Sequence, residues 1–221
     1  MKRENIRTII FDLDGTLFQT EKLAIPAFYD TIKRLKEEEL YNGDMPSEEH
    51  LKSQFGKVND EIWPDVLPGA SKEVIEKANE YMEYYELTRL KKGQGNPYPG
   101  VTRTLKALHN HGYRLCIASN GGKNYVHGVA EFHFPGLFTE VYSAGGQQTE
   151  TKVDMVKIIK ERFDDGPMVM VGDRSSDIAA GKENGFYSIG CTYGFSSEDE
   201  LAQADHIIKD FTELKEIFII D

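Results

Sequence analysis

The sequence predicts an α/β protein built on a doubly wound parallel sheet, with a second, helical unit inserted near its start. Three observations point there. Short β-rich runs recur (RTIIFDL, YRLCIAS, TEVYSA, PMVMVG, FYSIG and HII), and several are almost continuously apolar, as strands covered on both faces are. Helical patterns separate them. Four of the apolar runs then end in clusters of polar residues, which a parallel sheet would gather along one edge.

In chain order, the first strand over RTIIF is followed by Asp12-Leu13-Asp14-Gly15-Thr16. From about Glu21 to Lys92 no strand pattern appears, only helical texture such as AFYDTIKRLKEEEL and SKEVIEKANEYMEYYELTRL. This stretch is bounded by FQTE and by the Gly- and Pro-containing KKGQGNPYPG, so it reads as a helical cap over 19–95, entered and left at adjacent points of a core made of 1–18 and 96–221. The glycine-containing exit suits a hinge. KEEE reads as a solvated helix face. Beyond the cap, VTRTLKALHNH stops at Gly112, KVDMVKIIKERF opens after Thr151, and SDIAAGKEN stops at Gly185.

The chain has 221 residues and a formal net charge of −11, from 26 basic and 37 acidic residues. That balance argues against binding nucleic acid or an anionic membrane surface, both of which are drawn by a basic field. A small phosphorylated substrate is not excluded, because one local cation can outweigh a distant acidic surface. Cys116 and Cys191 are too few and too far apart for a disulfide framework or a zinc signature. No run approaches the roughly 18 apolar residues of a membrane span, and the basic start MKREN is followed by no signal-peptide core. A cytoplasmic protein, monomeric or homodimeric, is expected.

The four clusters share a chemical logic. Asp12, Asp14 and Asp173 are hard oxygen donors suited to Mg²⁺. Ser119, Asn120 and the amides that follow can hold phosphate oxygens where a polar loop opens a helix. Lys152 adds a point cation against a dianion. Phosphoryl transfer asks for an in-line nucleophile, neutralised equatorial oxygens and a proton donor for the leaving group, and an aspartate can serve as that nucleophile.

At these residues the chain resembles the haloacid dehalogenase-like hydrolase superfamily, in its phosphoglycolate phosphatase-like branch with a helical cap. DLDGT is similar to the first family motif, ASN to the second, the TK lysine to the third and GDRSSD to the fourth, so the likeness runs the length of the chain. The resemblance implies Asp12 as nucleophile, Asp14 as general acid and base, and Ser119 and Lys152 as phosphate ligands. It further implies Mg²⁺ held by Asp12, the Asp14 main-chain carbonyl and Asp173, with Thr16 and Asp177 supporting the site. Gln19-Thr20 departs from an Asp-Ser pair common in relatives, which argues against a close copy of phosphoglycolate phosphatase. The cap segment SQFGKVNDEIW resembles a specificity loop, in which Lys57 could meet an anionic leaving group.

The expected activity is therefore a Mg²⁺-dependent phosphatase acting on a small phosphorylated metabolite through an aspartyl-phosphate. The alternative on the same fold is a phosphosugar mutase of the β-phosphoglucomutase type. A dehalogenase is disfavoured by Asp14, since halide loss needs no proton donor. A phosphorylatable receiver needs no cap, and a catalytically dead binding module needs no such complete set of groups.

Overall fold

The computed structural model describes residues 6–57, 59–147, 149, 151–197 and 199–218. The six apolar runs form the strands β1 (Thr8–Phe11), β2 (Arg114–Ser119), β3 (Glu140–Ser143), β4 (Met168–Gly172), β5 (Tyr187–Cys191) and β6 (His206–Ile208). They make one wholly parallel sheet in the order β3-β2-β1-β4-β5-β6. The chain winds outward from β1 on one side, then crosses back to β4 and winds outward on the other. The crossing makes a switch point between β1 and β4, where a crevice opens beyond the carboxyl ends of the strands.

Register fixes what meets there. Phe11 lies opposite Ile117 of β2 and Val171 of β4, so the residues after Phe11 emerge level with those after each neighbour. The covering helices are α5 (Val101–Asn110), α6 (Lys123–His133), α8 (Lys152–Arg162), α9 (Ser175–Glu183) and α10 (Glu213–Phe218), with α7 (Ala144–Gln147) a single turn after β3. Every residue of β1 and β4 is buried, which explains runs with no polar alternation.

The inserted stretch contains four helices: α1 (Glu21–Glu37), α2 (Glu48–Lys52), α3 (Asn59–Val66) and α4 (Lys72–Lys91). The sequence pattern marked only α1 and α4; α2 and α3 are too short to show a full apolar stripe. These helices close around their own apolar cluster, with Phe28, Ile32, Leu35, Trp63, Leu67 and Ala78 at its centre and separate from the clusters on the sheet. Glu37 to Glu39 are exposed, as a solvated face requires. The two connections run side by side: Gln19 N donates to the Asn96 carbonyl (3.0 Å) and Tyr98 N to the Leu17 carbonyl (3.0 Å). Gly95, with φ near 80°, lies against Phe18, where a Cβ would come within 2.4 Å of the ring. Among the described residues no helix is long and apolar enough to cross a membrane.

Candidate active site

Asp12 is the first residue past β1, and its amide is held by the Val171 carbonyl at 2.9 Å. Its side chain is 3% exposed. Lys152, the first residue of α8 on the crossover from β3 to β4, reaches it, and Nζ donates to Asp12 Oδ1 at 2.6 Å and to Asp177 Oδ1 at 2.6 Å. The helix that delivers Lys152 starts where the sequence indicated: the Thr151 hydroxyl caps it by accepting from Asp154 N (3.1 Å). Burial alone would lower the Lys152 ammonium, but the charges of Asp12 and Asp177 more than offset it and raise its pKa.

Asp173 follows β4 and is fully buried. Thr16 Oγ1 donates to its Oδ1 (3.2 Å), and the Phe195 amide donates to its Oδ2 (2.6 Å). Burial is the main cause raising its pKa to about 7, with repulsion from Asp177 second. Burial likewise pushes Asp12 well above the ordinary carboxylate range. Gly15, at φ 83°, allows the turn after Asp14 to fold over this group; a Cβ there would meet Asp173 Oδ2 at 2.4 Å.

Carboxylate oxygens of Asp12, Asp173 and Asp177 lie within 4.8 Å of one another. Three buried acids share one ammonium, so the cluster is short of positive charge, and all its donors are hard oxygens. Both facts fit a divalent cation of the Mg²⁺ type, which would supply the missing charge.

Asp14 has a different setting. Its Oδ1 accepts from Thr20 Oγ1 (2.5 Å) and from the Tyr125 hydroxyl (2.7 Å), whereas its Oδ2 has only the long contact to Ser119 Oγ (3.4 Å). Burial raises its pKa, against the opposing pull of the Thr20 and Tyr125 hydroxyls. One oxygen is pinned and the other faces the cavity with spare capacity, a suitable arrangement for a proton donor. Tyr125 was not legible as a site residue in the sequence; the only signal was its place in the first turn of α6, two residues after SNGGK. Replacing Tyr125 by Phe removes a hydrogen bond to the charged form, worth about 1.5 kcal/mol. The expected result is a loss of about tenfold in kcat, with the limb of the pH–rate profile belonging to Asp14 moved to higher pH. Parallel kcat and pH profiles of the two proteins check it.

Ser119 ends β2, is buried, and accepts from Gly121 N (3.1 Å), so the loop curls to present amides toward the same point. Asn120 Nδ2 donates to the Gly56 carbonyl (2.9 Å), tying this loop to the helical unit. Asp12, Asp14, Asn120, Tyr125 and Lys152 line one cavity of about 140 Å³, roofed by the inserted helices. Lys57 is also on its wall. It donates to Gln54 Oε1 (2.9 Å) and pairs with Asp65 (3.6 Å). Its neighbour Val58 lies outside the described residues. Of the residues singled out in the sequence, Asp12, Asp14, Lys57, Asn120 and Lys152 line the cavity, Asp173 and Asp177 complete the acidic cluster with Thr16 bonded to Asp173, and Ser119 reaches the site through its long contact to Asp14; Thr20, Tyr125 and Glu86 join them without having been marked as site residues.

The geometry agrees with what the chain is similar to. It is 28% identical to a phosphoglycolate phosphatase of Vibrio cholerae, over 98% of this chain and 99% of that one. It is 26% identical to a 5′-nucleotidase of Pseudomonas aeruginosa, over 95% and 94%. Its fold matches a haloacid dehalogenase-like family hydrolase of Streptococcus pneumoniae with a TM-score of 0.79 at 21% identity, covering 99% of this chain and 100% of the other. The family model for haloacid dehalogenase-like hydrolase matches residues 9–191. That span runs from β1 to the end of β5 and contains all four polar clusters, and the chain belongs to the haloacid dehalogenase-like hydrolases.

Proposed function

We propose that the protein is a Mg²⁺-dependent phosphatase that hydrolyses a small phosphorylated metabolite through an aspartyl-phosphate on Asp12. The observation that carries this reading is the buried Asp12–Lys152 pair at the base of the cavity, with the hydroxyl-pinned Asp14 beside it. Phosphoester-cleaving relatives support it.

Asp12 attacks phosphorus in line, and the bond from phosphorus to the leaving oxygen breaks. Asp14, entering protonated, gives its proton to that oxygen through Oδ2. The leaving group departs as an alcohol. Asp14, now a carboxylate, takes a proton from a water that attacks the same phosphorus and breaks its bond to Asp12, releasing inorganic phosphate. Ser119 and Lys152 hold the non-bridging oxygens throughout, in place of the long contact from Ser119 to Asp14. Asp12, the Asp14 carbonyl and Asp173 would hold the Mg²⁺, whose charge would neutralise the transferring group. The inserted helices, acting as a cap over 19–95, exclude stray water when closed. Flexing of Thr16–Thr20 and Gly93–Gly95 would open them.

The test is phosphate release from p-nitrophenyl phosphate with Mg²⁺, after chelation, and after Mg²⁺ is restored. Activity is expected to vanish on chelation and return with the metal; turnover unchanged by complete chelation would contradict the reading. A second readout needs no turnover. Asp173 holds its proton more tightly in the folded chain than the ordinary carboxylate value of 3.8 would allow, up to about 7. Without metal the native state therefore binds more protons than the unfolded one across that window, and stability falls as pH rises through it. Mg²⁺ should raise Tm more at pH 8 than at pH 5.

A further inference from the structure

The cavity wall contributed by α4 carries Asn79, Met82, Glu83 and Glu86, spaced so that all four lie on one helical face. Asn79 accepts from Trp63 Nε1 (2.7 Å), and Glu83 accepts from Asn124 Nδ2 (2.9 Å). Glu86 has no hydrogen-bond or ion-pair partner among the described residues. It is half-buried on that wall, and desolvation, then repulsion from Asp14 and Glu83, raises its pKa well above that of a free carboxylate. A carboxylate so placed is costly unless something positive meets it. Asn120, its Nδ2 committed to the Gly56 carbonyl, keeps a buried Oδ1 with no partner on the same cavity. Of the two cavity lysines, Lys152 belongs to Asp12 and Asp177, and Lys57 is matched by Asp65. The part of the cavity lined by α4 therefore offers acceptors and acidic side chains but no uncommitted cation among the described residues, with Phe28 and Trp63 as apolar flanks.

We infer that the leaving group carries a protonated amine, held by the Glu86 carboxylate with Asn120 Oδ1 as a further acceptor, so that the substrates are phosphate monoesters of small amino alcohols. This rests on the phosphatase reading above. It also gives Lys57 no anion to bind and turns the site away from a carboxylate such as glycolate.

The experiment compares kcat/KM for three esters of similar length: phosphoethanolamine, 2-hydroxyethyl phosphate and phosphoglycolate. For the wild type we expect the amino ester to exceed the hydroxy ester by about tenfold or more, equivalent to about 1.4 kcal/mol, with the carboxylate ester lowest. In Glu86→Gln the amino-to-hydroxy ratio, taken within the one protein, should fall toward unity, chiefly through KM. Glu86→Lys should invert the order of the amino and carboxylate esters. A wild type that prefers the hydroxy or carboxylate ester overturns the inference, as does a Glu86→Gln protein that keeps the amine preference. p-Nitrophenyl phosphate separates the two levels: if it is hydrolysed while the amine preference is missing, the phosphatase reading stands and only the inference fails. If it is not hydrolysed with Mg²⁺ present, the phosphatase reading itself fails.

Discussion

Asp12→Asn is expected to reduce turnover by at least about four orders of magnitude, the scale of losses seen when a covalent nucleophile is removed. The amide is the same size and can still accept the Lys152 ammonium that donates to Asp12 Oδ1 at 2.6 Å. It cannot form the acyl phosphate, and it takes one charge from the metal. The fold should be undisturbed, because the substitution relieves a site crowded with buried acids rather than leaving a new hole. A melting temperature equal to or above that of the wild type in metal-free buffer, together with lost activity, would show that chemistry and not folding was removed. Residual activity above a few per cent in a clean preparation would rule Asp12 out as nucleophile.

Asp14→Asn separates the two halves of the reaction. With an alkyl phosphate the departing oxygen is strongly basic, and loss of its proton donor should cost about 10²- to 10⁴-fold. With an activated aryl phosphate the leaving group departs without help, so the first step should proceed at a rate much closer to wild type. The second step still lacks its base. Burst kinetics with p-nitrophenyl phosphate would show one equivalent of nitrophenol released quickly and then a slow phase. Equal losses at every stage for both kinds of ester would count against this role for Asp14. The hydroxyls of Thr20 and Tyr125 lose their charged acceptor in this variant but keep an amide oxygen, so the loop should hold its shape.

The core was legible because its central strands are apolar on both faces and end abruptly. RTIIF, LCIA and VMV mark β1, β2 and β4, and the polar residues just past them mark the edge where they converge. Asp12 and Asp173 could be singled out as candidate metal ligands for the same reason: acids directly after a buried strand need a partner. Lys152 could be placed because a Thr cap and an amphipathic pattern fix the start of its helix. What the sequence hid was long-range. Tyr125 is 111 residues from the Asp14 it touches, and nothing in KNYVHG announces a polar role. Glu86 lies among other Glu and Tyr residues on a helix that looks solvated from its composition, and only the packing of α4 against α1 shows which acid turns inward. Lys57 shows the converse. It was visible as a cation in a glycine-containing loop, but the Asp65 that matches it sits on α3, a helix too short to be drawn from the pattern.

The covalent attachment of phosphate to Asp12 is the centre of this account, and Asp14→Asn provides the means to see it. Incubated with an excess of p-nitrophenyl phosphate and Mg²⁺, quenched in acid and digested, that variant should yield the peptide containing Asp12 with the added mass of one phosphoryl group, and fragmentation should place it on Asp12. The adduct should be absent from Asp12→Asn carrying the same Asp14→Asn change. An unmodified Asp12 peptide from a variant that has released its burst of nitrophenol, or phosphate found on another residue, would contradict the mechanism.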